Sequence, residues 1–125
     1  GEFHIYSDND SDTFLVLVLG GVGVISVQSH LVSGETRRLI DSFVEGDHEA
    51  ARRQHFRLLP IARALFPTGW PNPVAVKAAL NMSGFEVGKP RLPLVELPDD
   101  MCPVLRQVVE TYELDAFLEP AAASV

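Results

Sequence analysis

Two short apolar runs near the start of the chain are separated by a connection of the length that a parallel β-α-β crossover needs. Residues 3–6 (FHIY) and 22–27 (VGVISV) are rich in β-branched and aromatic residues, which predicts strands. Residues 12–19 are apolar without the alternation of a strand, and predict a helix that Asp12 can cap and a following glycine pair can end. We therefore expect two adjacent parallel strands joined by a helix.

This unit constrains the fold because parallel strands are normally covered on both faces and lie among other strands. A two-stranded sheet alone is marginal in water, and the remaining sequence predicts no obvious third strand. We therefore expect the chain to begin in the middle of a barrel.

The rest of the chain predicts helices separated by loops. Ser33 can cap the first of them and Asp99 the last. Pro60 lies inside the second, where the missing backbone donor predicts a kink. Prolines keep residues 89–98 extended, and residues 120–125 are expected to fray. The predicted helices cover residues 34–45, 47–66, 74–82 and 99–112.

Charge and cysteine content argue against several functional classes. A formal net charge of −7 with mostly dispersed cations argues against a nucleic-acid surface. Cys102 is the single cysteine, which excludes an internal disulfide or a cysteine-based zinc site and fits a reducing compartment. Residues 13–27 form the most apolar window, but it is too short to span a bilayer, and no signal peptide is visible. We expect a cytoplasmic protein that binds neither nucleic acid nor membrane.

Two motifs resemble ligand loops but lack required residues. Carboxylates alternate over residues 8–12 as in a calcium loop, which would then need glycine at Thr13 and glutamate at Leu19. The glycines of residues 20–23 follow a helix and open a strand, whereas a dinucleotide loop follows a strand and opens a helix. We expect neither ligand.

The histidines and the single tryptophan have both structural and functional interpretations. His48 and His55 could share a helical face, but zinc requires three or four ligands. Because His55 falls on an apolar stripe, we expect it to be packed in the core, and we expect no metal site. Trp70 lies in a proline-rich loop, where it can anchor an interface or plug the loop.

Six segments follow one another in register: FHIYSDND, LGGVGVISV, LLPIARALF, NPVAVKAAL, GFEVG and RLPLVEL. From Phe3 to Phe117 they resemble the C-terminal part of the dihydrodipicolinate synthases, which fold as a (β/α)8 barrel followed by a small helical extension. A whole barrel takes about 250 residues. The resemblance implies an α/β chain: the last two βα units of a (β/α)8 TIM barrel in residues 1–45, then a C-terminal helical extension in residues 46–125.

The resemblance also implies a lyase of lysine biosynthesis whose nucleophile lies elsewhere. In the family, a lysine on an earlier strand forms a Schiff base with pyruvate, and tyrosines and a threonine relay protons before condensation with aspartate semialdehyde. Such a lysine needs a desolvated or cationic pocket. Lys77 and Lys89 lie on a predicted helix and in a proline-rich loop, and Tyr6 and Tyr112 do not match the relay. We expect no catalytic residue and no cofactor here, and no activity from the chain alone.

The resemblance carries over a pocket wall. Asp8, Asn9 and Asp10 occupy the place of the family's Gly-Asp-Asp after the seventh strand. Ile25 takes the place of an isoleucine whose main-chain carbonyl faces pyruvate. Two departures weaken the match: Asp8 adds bulk where glycine lies against the substrate, and residues 28–30 (Gln-Ser-His) replace the common Thr-Ala-Asn. GVISV and RLPLV favour the synthases over the related aldolases that cleave sialic acid or keto-deoxy sugar acids.

Two functional hypotheses follow. In the first, the chain supplies pocket wall and oligomer surface to a lyase that binds its pyruvate-type substrate only as a complete barrel. In the second, it is a non-catalytic helical module for interaction or oligomerisation. The first is favoured because paired strands with buried faces suit a barrel. In either case Ile5, Val24 and Ile25 would face water, so we expect a homo-oligomer or docking onto the missing N-terminal part.

Overall fold

The structure, a computed structural model, describes residues 3–112. In this range the chain forms a parallel strand pair followed by a helical assembly, an α/β arrangement. The predictions for residues 113–125, including a frayed end, lie outside the described residues. The strands are β1 (Tyr6–Ser7) and β2 (Gly23–Val24), and the helices are α1 (Thr13–Val18), α2 (Ser29–Val44), α3 (His48–Ala64), α4 (Val74–Met82) and α5 (Cys102–Val109), with a 3-10 helix (Asp10–Asp12) before α1.

The strand pair has the predicted parallel arrangement. Tyr6 lies opposite Gly23, and the backbone nitrogen of Ile25 donates to the carbonyl of Ser7 at 2.7 Å. α1 contacts both strands. The β-α-β prediction is therefore confirmed. The strands are shorter than the apolar runs that predicted them, because only the stretch in which each strand faces the other forms a ladder.

Both residues of the glycine pair after α1 are required by the backbone. Gly20 has a φ of +93°, which side-chain-bearing residues rarely adopt. A Cβ on Gly21 would lie 2.3 Å from Cγ1 of Val16 and 2.9 Å from its carbonyl oxygen. The chain therefore turns tightly against α1 before it enters β2.

α2 begins at Ser29 and not, as predicted, after a Ser33 cap. Gln28 occupies the N-cap position, and a kink at Val32 (φ −135°, ψ 50°) divides the helix. Leu31 and Val32 are both fully buried. The segment before the kink was not predicted, and burial of these two side chains accounts for it, whereas the segment after Val32 begins where the helix was predicted.

The first turns of α3 and α5 are capped differently. The carboxylate of Asp47 accepts from the backbone nitrogen of Ala50 at 2.9 Å and caps α3, which runs as one helix through Pro60. Asp99 does not cap α5, which has Met101 at its N-cap position and a proline in its first turn. The backbone nitrogen of Met101 donates a hydrogen bond to the carbonyl of Pro98, and this turn precedes the first residue of α5.

The core lies mainly between the helices. Val44 is exposed because it lies at the last turn of α2. Within residues 3–112, none of the helices combines the length and the apolar character needed to span a membrane. The buried cluster consists of Leu17, Leu31, Val32, Leu39, Leu58, Ile61, Leu65, Val74, Ala75, Val76, Ala79, Leu80, Leu97, Leu105, Val109 and Tyr112.

Candidate functional site

The turn that follows β1 is fixed by its own side chains. The hydroxyl of Ser7, which is buried, donates to the carbonyl of Asn9 at 2.7 Å and accepts from its backbone nitrogen at 3.2 Å. The side-chain oxygen of Asn9 in turn accepts from the backbone nitrogen and the hydroxyl of Ser11. The turn therefore holds the intervening Asp8 in one place although that residue is exposed.

Asp10 joins this turn to the chain segment that follows β2. Its carboxylate is buried, and Oδ2 accepts from the backbone nitrogens of Val27 and Gln28, both at 2.9 Å. The negative charge lies at the start of α2, where a helix favours an anion. Asp10 is thus an anchor beneath the site surface.

Two buried oxygens in this region accept no hydrogen bond from the described residues. They are Oδ1 of Asp10 and Oε1 of Gln28. The amide nitrogen of Gln28 is used, since it donates to the hydroxyl of Thr36 at 3.2 Å. Buried acceptors are rarely left unpaired in folded proteins, so this edge is chemically incomplete within residues 3–112.

A cleft of about 710 Å³ opens beside the turn. Asp8 and Asn9 form one wall, and Arg63 near the end of α3 contributes to the other. A carboxylate and a guanidinium on one cleft can bind a ligand that carries both charges or several polar groups. The full lining is Asp8, Asn9, Ser11, Ala62, Arg63, Phe66, Pro67 and Thr68.

The four residues predicted for the pocket wall therefore do not form one set. Asp8 and Asn9 line the cleft, and Asp10 lies buried under the same turn. Ile25 does not line the cleft; it follows β2, with 71% of its surface exposed. Arg63 was not among the predicted residues. Its place in the cleft depends on how α3 packs against the 3-10 helix, and local sequence patterns do not predict that packing.

Lys77, Lys89 and Tyr112 form hydrogen bonds or an ion pair with other parts of the chain. Nζ of Lys77 donates to the carbonyl of Lys89 at 2.8 Å. The Lys89 ammonium bonds to Glu96 at 2.7 Å, which raises the pKa of Lys89, the opposite of what a Schiff-base nucleophile needs. The hydroxyl of Tyr112 donates to the carbonyl of Arg57 at 2.6 Å, and burial raises the pKa of this phenol.

His55 is half-buried against aromatic rings and not inside the core as predicted. Its ring stacks on Phe14 at a centroid distance of 5.6 Å, and burial lowers its pKa while the charge of Asp12 opposes that shift. His48 lies against another aromatic ring, Phe43, at 4.7 Å. Within residues 3–112, no group of three or more histidine, cysteine or acidic side chains could hold a metal ion.

Trp70 is partly buried and packs against the helical core. Trp70 could anchor an interface or fill the space under its own loop, and this contact favours the second interpretation for the loop of residues 65–73. The loop is thereby fixed next to the end of α3, which contributes the far wall of the cleft.

Comparison with known proteins gives a consistent result. Residues 1–112 match the family described as the dihydrodipicolinate synthetase family. The chain is 43% identical to a 4-hydroxy-tetrahydrodipicolinate synthase of Heliobacterium modesticaldum, over 98% of this chain and 40% of that protein. It is 49% identical to the corresponding Synechococcus synthase, over 86% of this chain and 35% of that protein.

A solved structure agrees in fold as well as in sequence. The dihydrodipicolinate synthase of Aquifex aeolicus superposes with a TM-score of 0.84 at 37% identity, over 91% of this chain and 39% of that one. The chain thus spans no more than about 40% of the length of these relatives.

Proposed function

The chain belongs to the dihydrodipicolinate synthetase family, and from that premise we propose that it supplies pocket wall and association surface to a lyase that condenses pyruvate with aspartate semialdehyde. The observation that carries this proposal is that the strand pair leaves apolar side chains uncovered. Ile5 and Ile25 are 55% and 71% exposed beside a parallel pair. Parallel strands with an uncovered apolar face suit the end of a barrel sheet and not a free surface.

The two unpaired buried acceptors support the same proposal. Oδ1 of Asp10 and Oε1 of Gln28 lie at the start of α2, just after β2. Donors from the neighbouring strands of a completed barrel would satisfy them. Because a buried acceptor without a partner costs about 1–3 kcal/mol, completion would stabilise the chain as well as close the pocket.

In the proposed enzyme, each residue of the wall has a separate role. Asp8 and Asn9 face the bound substrates from the cleft side, and the main-chain carbonyl of Ile25 faces pyruvate. Asp10 positions both loops through its bonds to the backbone after β2. Arg63 contributes a positive charge that suits a carboxylate group of a substrate.

The nucleophile in this proposal is a lysine on a strand outside this chain. The surroundings of Lys77 and Lys89 support that assignment, since one donates to a backbone carbonyl and the other is held as a cation by Glu96. The chain alone would then be inactive and need no cofactor, and the assembled lyase would act in the cytoplasm.

The self-association in this proposal has a second support on α1. Leu15, Val18 and Leu19 are exposed and spaced so that they share one side of that helix. We propose a homo-oligomer, or docking onto the complementary N-terminal part, in which such apolar surface is covered.

A second candidate function rests on the helical core. Almost all of the described buried cluster lies in α2–α5 and the loops between them, and only Leu17 comes from α1. A core of this kind could fold without a complete barrel. The alternative is therefore a non-catalytic helical module for interaction or oligomerisation, with residues 46–125 as its main part.

A complementation experiment separates the two. The chain is mixed with the N-terminal part of the Heliobacterium synthase, and activity with pyruvate and aspartate semialdehyde is measured. We expect a complex with lyase activity, and borohydride trapping of pyruvate on the other polypeptide only. A pyruvate adduct on Lys77 or Lys89 contradicts the proposed division of roles. Absence of any complex, together with a monomeric chain that unfolds cooperatively, favours the module.

A further inference from the structure

A polar groove of about 340 Å³ runs between α2 and α3, and shares no residue with the cleft described above. The two helices are connected by the short turn at residues 45–47 and pack side by side. The residues that line the groove recur at three- and four-residue steps on both helices, which places them on facing ridges. They are Arg38 and Ser42 of α2 and Ala50, Arg53, Gln54 and Arg57 of α3.

Glu35 organises two of the three groove arginines. Its side chain is only 2% exposed, and its Oε1 lies 3.1 Å from Arg38 and 3.5 Å from Arg57. The other carboxylate oxygen and the backbone carbonyl accept from Gln54. One carboxylate oxygen therefore faces two guanidinium groups from opposite helices, and this part of the groove keeps an excess positive charge.

At the other end of the groove, the ion pairs of Glu49 also leave an excess of positive charge. Both of its oxygens bond to Arg52, at 2.9 and 3.1 Å, which lowers the pKa of Glu49. Arg53, which lines the groove, reaches only the shared Oε1 at 3.4 Å. These ion pairs thus hold four arginines with two glutamates on a chain whose net charge is −7.

We propose that this arginine groove is a binding site for a small multivalent oxyanion, either a phosphate ester or a polycarboxylate. Guanidinium groups present several N–H donors in a planar fork that matches carboxylate and phosphate oxygens. Arg38 approaches from one side and Arg53 and Arg57 from the other, while Ser42 and Gln54 add neutral polar groups. The volume suits a small metabolite.

Stability accounts for only part of this arrangement. Arg38 and Arg57 pair with the buried Glu35, whereas the exposed pair of Arg53 and Glu49 contributes little to folding. The side chains of Arg38, Arg53 and Arg57 are 65%, 64% and 53% exposed, so all three keep guanidinium donors that face solvent. Their convergence on one groove is better explained by a ligand that uses their outward donors. The site does not depend on the proposed lyase function, because no group of the pocket wall contributes to it.

Calorimetric titration of the 125-residue chain with inorganic phosphate and with citrate at low ionic strength tests the proposal. We expect saturable binding of one ion per chain that weakens as salt screens the arginines. Arg53→Gln should weaken binding about tenfold, since it removes charge-assisted hydrogen bonds from the groove. Arg52→Gln is the matched control: it removes the same charge next to the same Glu49, but outside the groove lining, and should leave the affinity within about twofold.

Preference for phosphate would assign the site to phosphate esters, and preference for citrate to polycarboxylates. Arg38→Gln, on the opposite helix, should repeat the loss seen with Arg53→Gln, which guards against a folding defect in one variant. Circular dichroism spectra of all variants should match that of the unmodified chain. Absence of saturable binding of either ion, or equal weakening by Arg52→Gln and Arg53→Gln, would overturn the proposal.

Discussion

Oδ2 of Asp10 lies 2.9 Å from the backbone nitrogen of Gln28, which is 18 residues further along the chain. The same oxygen accepts from Val27, so one buried carboxylate holds the turn after β1 to the start of α2. Charged acceptors make stronger hydrogen bonds than neutral ones, and this acceptor also lies at the positive end of a helix. The pocket wall of the proposed lyase therefore depends on a residue that does not reach the surface.

Replacing Asp10 should destabilise the chain far more than replacing its exposed neighbour. Asp10→Ala leaves two backbone N–H groups without their charged acceptor, and we expect a loss of about 3 kcal/mol. Asp10→Asn, which keeps a neutral oxygen, should cost less. Urea unfolding at one fixed protein concentration measures both. Asp8→Ala, on the exposed tip of the same turn, is the control and should change stability by no more than about 0.5 kcal/mol.

The position of Gly21 predicts a strong response to a single methyl group. A Cβ at Gly21 would overlap Val16, so Gly21→Ala must move α1 or β2 and should cost about 1–3 kcal/mol. Gly46→Ala provides the comparison: Gly46 has a φ of +86° but open space around it, so only backbone strain of about 1 kcal/mol opposes the change. Equal losses in thermal unfolding would show that the contact with Val16 relaxes freely.

The parallel β-α-β unit could be predicted from the sequence because its signals are local. Apolar runs, a crossover of the right length and a glycine pair all occur within residues 3–27. The first turn of α2, before the kink at Val32, could not be predicted, since it depends on the burial of Leu31 and Val32. Local sequence predicted only the segment that follows the kink.

The candidate site, too, could be predicted from the sequence only in part. The resemblance assigns Asp8 and Asn9 to a pocket wall; both line the cleft, and their role in a substrate pocket stays a prediction. The anchoring role of Asp10 could not be read from the chain, because it depends on backbone groups 17 and 18 residues away. Arg63 gave no local signal at all. The division of the chain at residue 45 stays a prediction.

His55 should make stability fall as the solution becomes more acidic. Burial lowers its pKa in the folded state, so the unfolded chain binds a proton more readily. Stability is therefore lost as pH falls through the ordinary histidine range near 6.5, and the loss levels off below the folded-state pKa. His55→Phe, which keeps an aromatic ring against Phe14, should flatten this part of the pH profile of unfolding. A profile unchanged in that variant would assign the dependence to another group; His4→Gln is the exposed control.

Tyr112 links the end of α5 to α3 through a single hydroxyl. Its O–H donates to the carbonyl of Arg57 at 2.6 Å, in a largely buried position. Tyr112→Phe keeps the ring and should cost about 1 kcal/mol, the usual net value of such a bond. Tyr6→Phe, whose ring is half exposed, should cost much less. Chemical denaturation of the two variants distinguishes this contact from a general effect of losing a phenol.

Self-association through the strand face should be sensitive to a charge in β2. Val24 is half-buried in the single chain and lies on the same face of the strand pair as the exposed Ile5, so a partner that covers this face would also cover Val24. Val24→Lys would place an ammonium group in that contact, which is costly without a partner charge. We expect sedimentation velocity at tens of micromolar to show a shift toward monomer for Val24→Lys. Arg52→Lys, on the outer surface of α3, should leave the distribution unchanged. An unmodified chain that is already a monodisperse monomer at that concentration, with a cooperative thermal transition, would contradict association through the strands and favour the independent helical module.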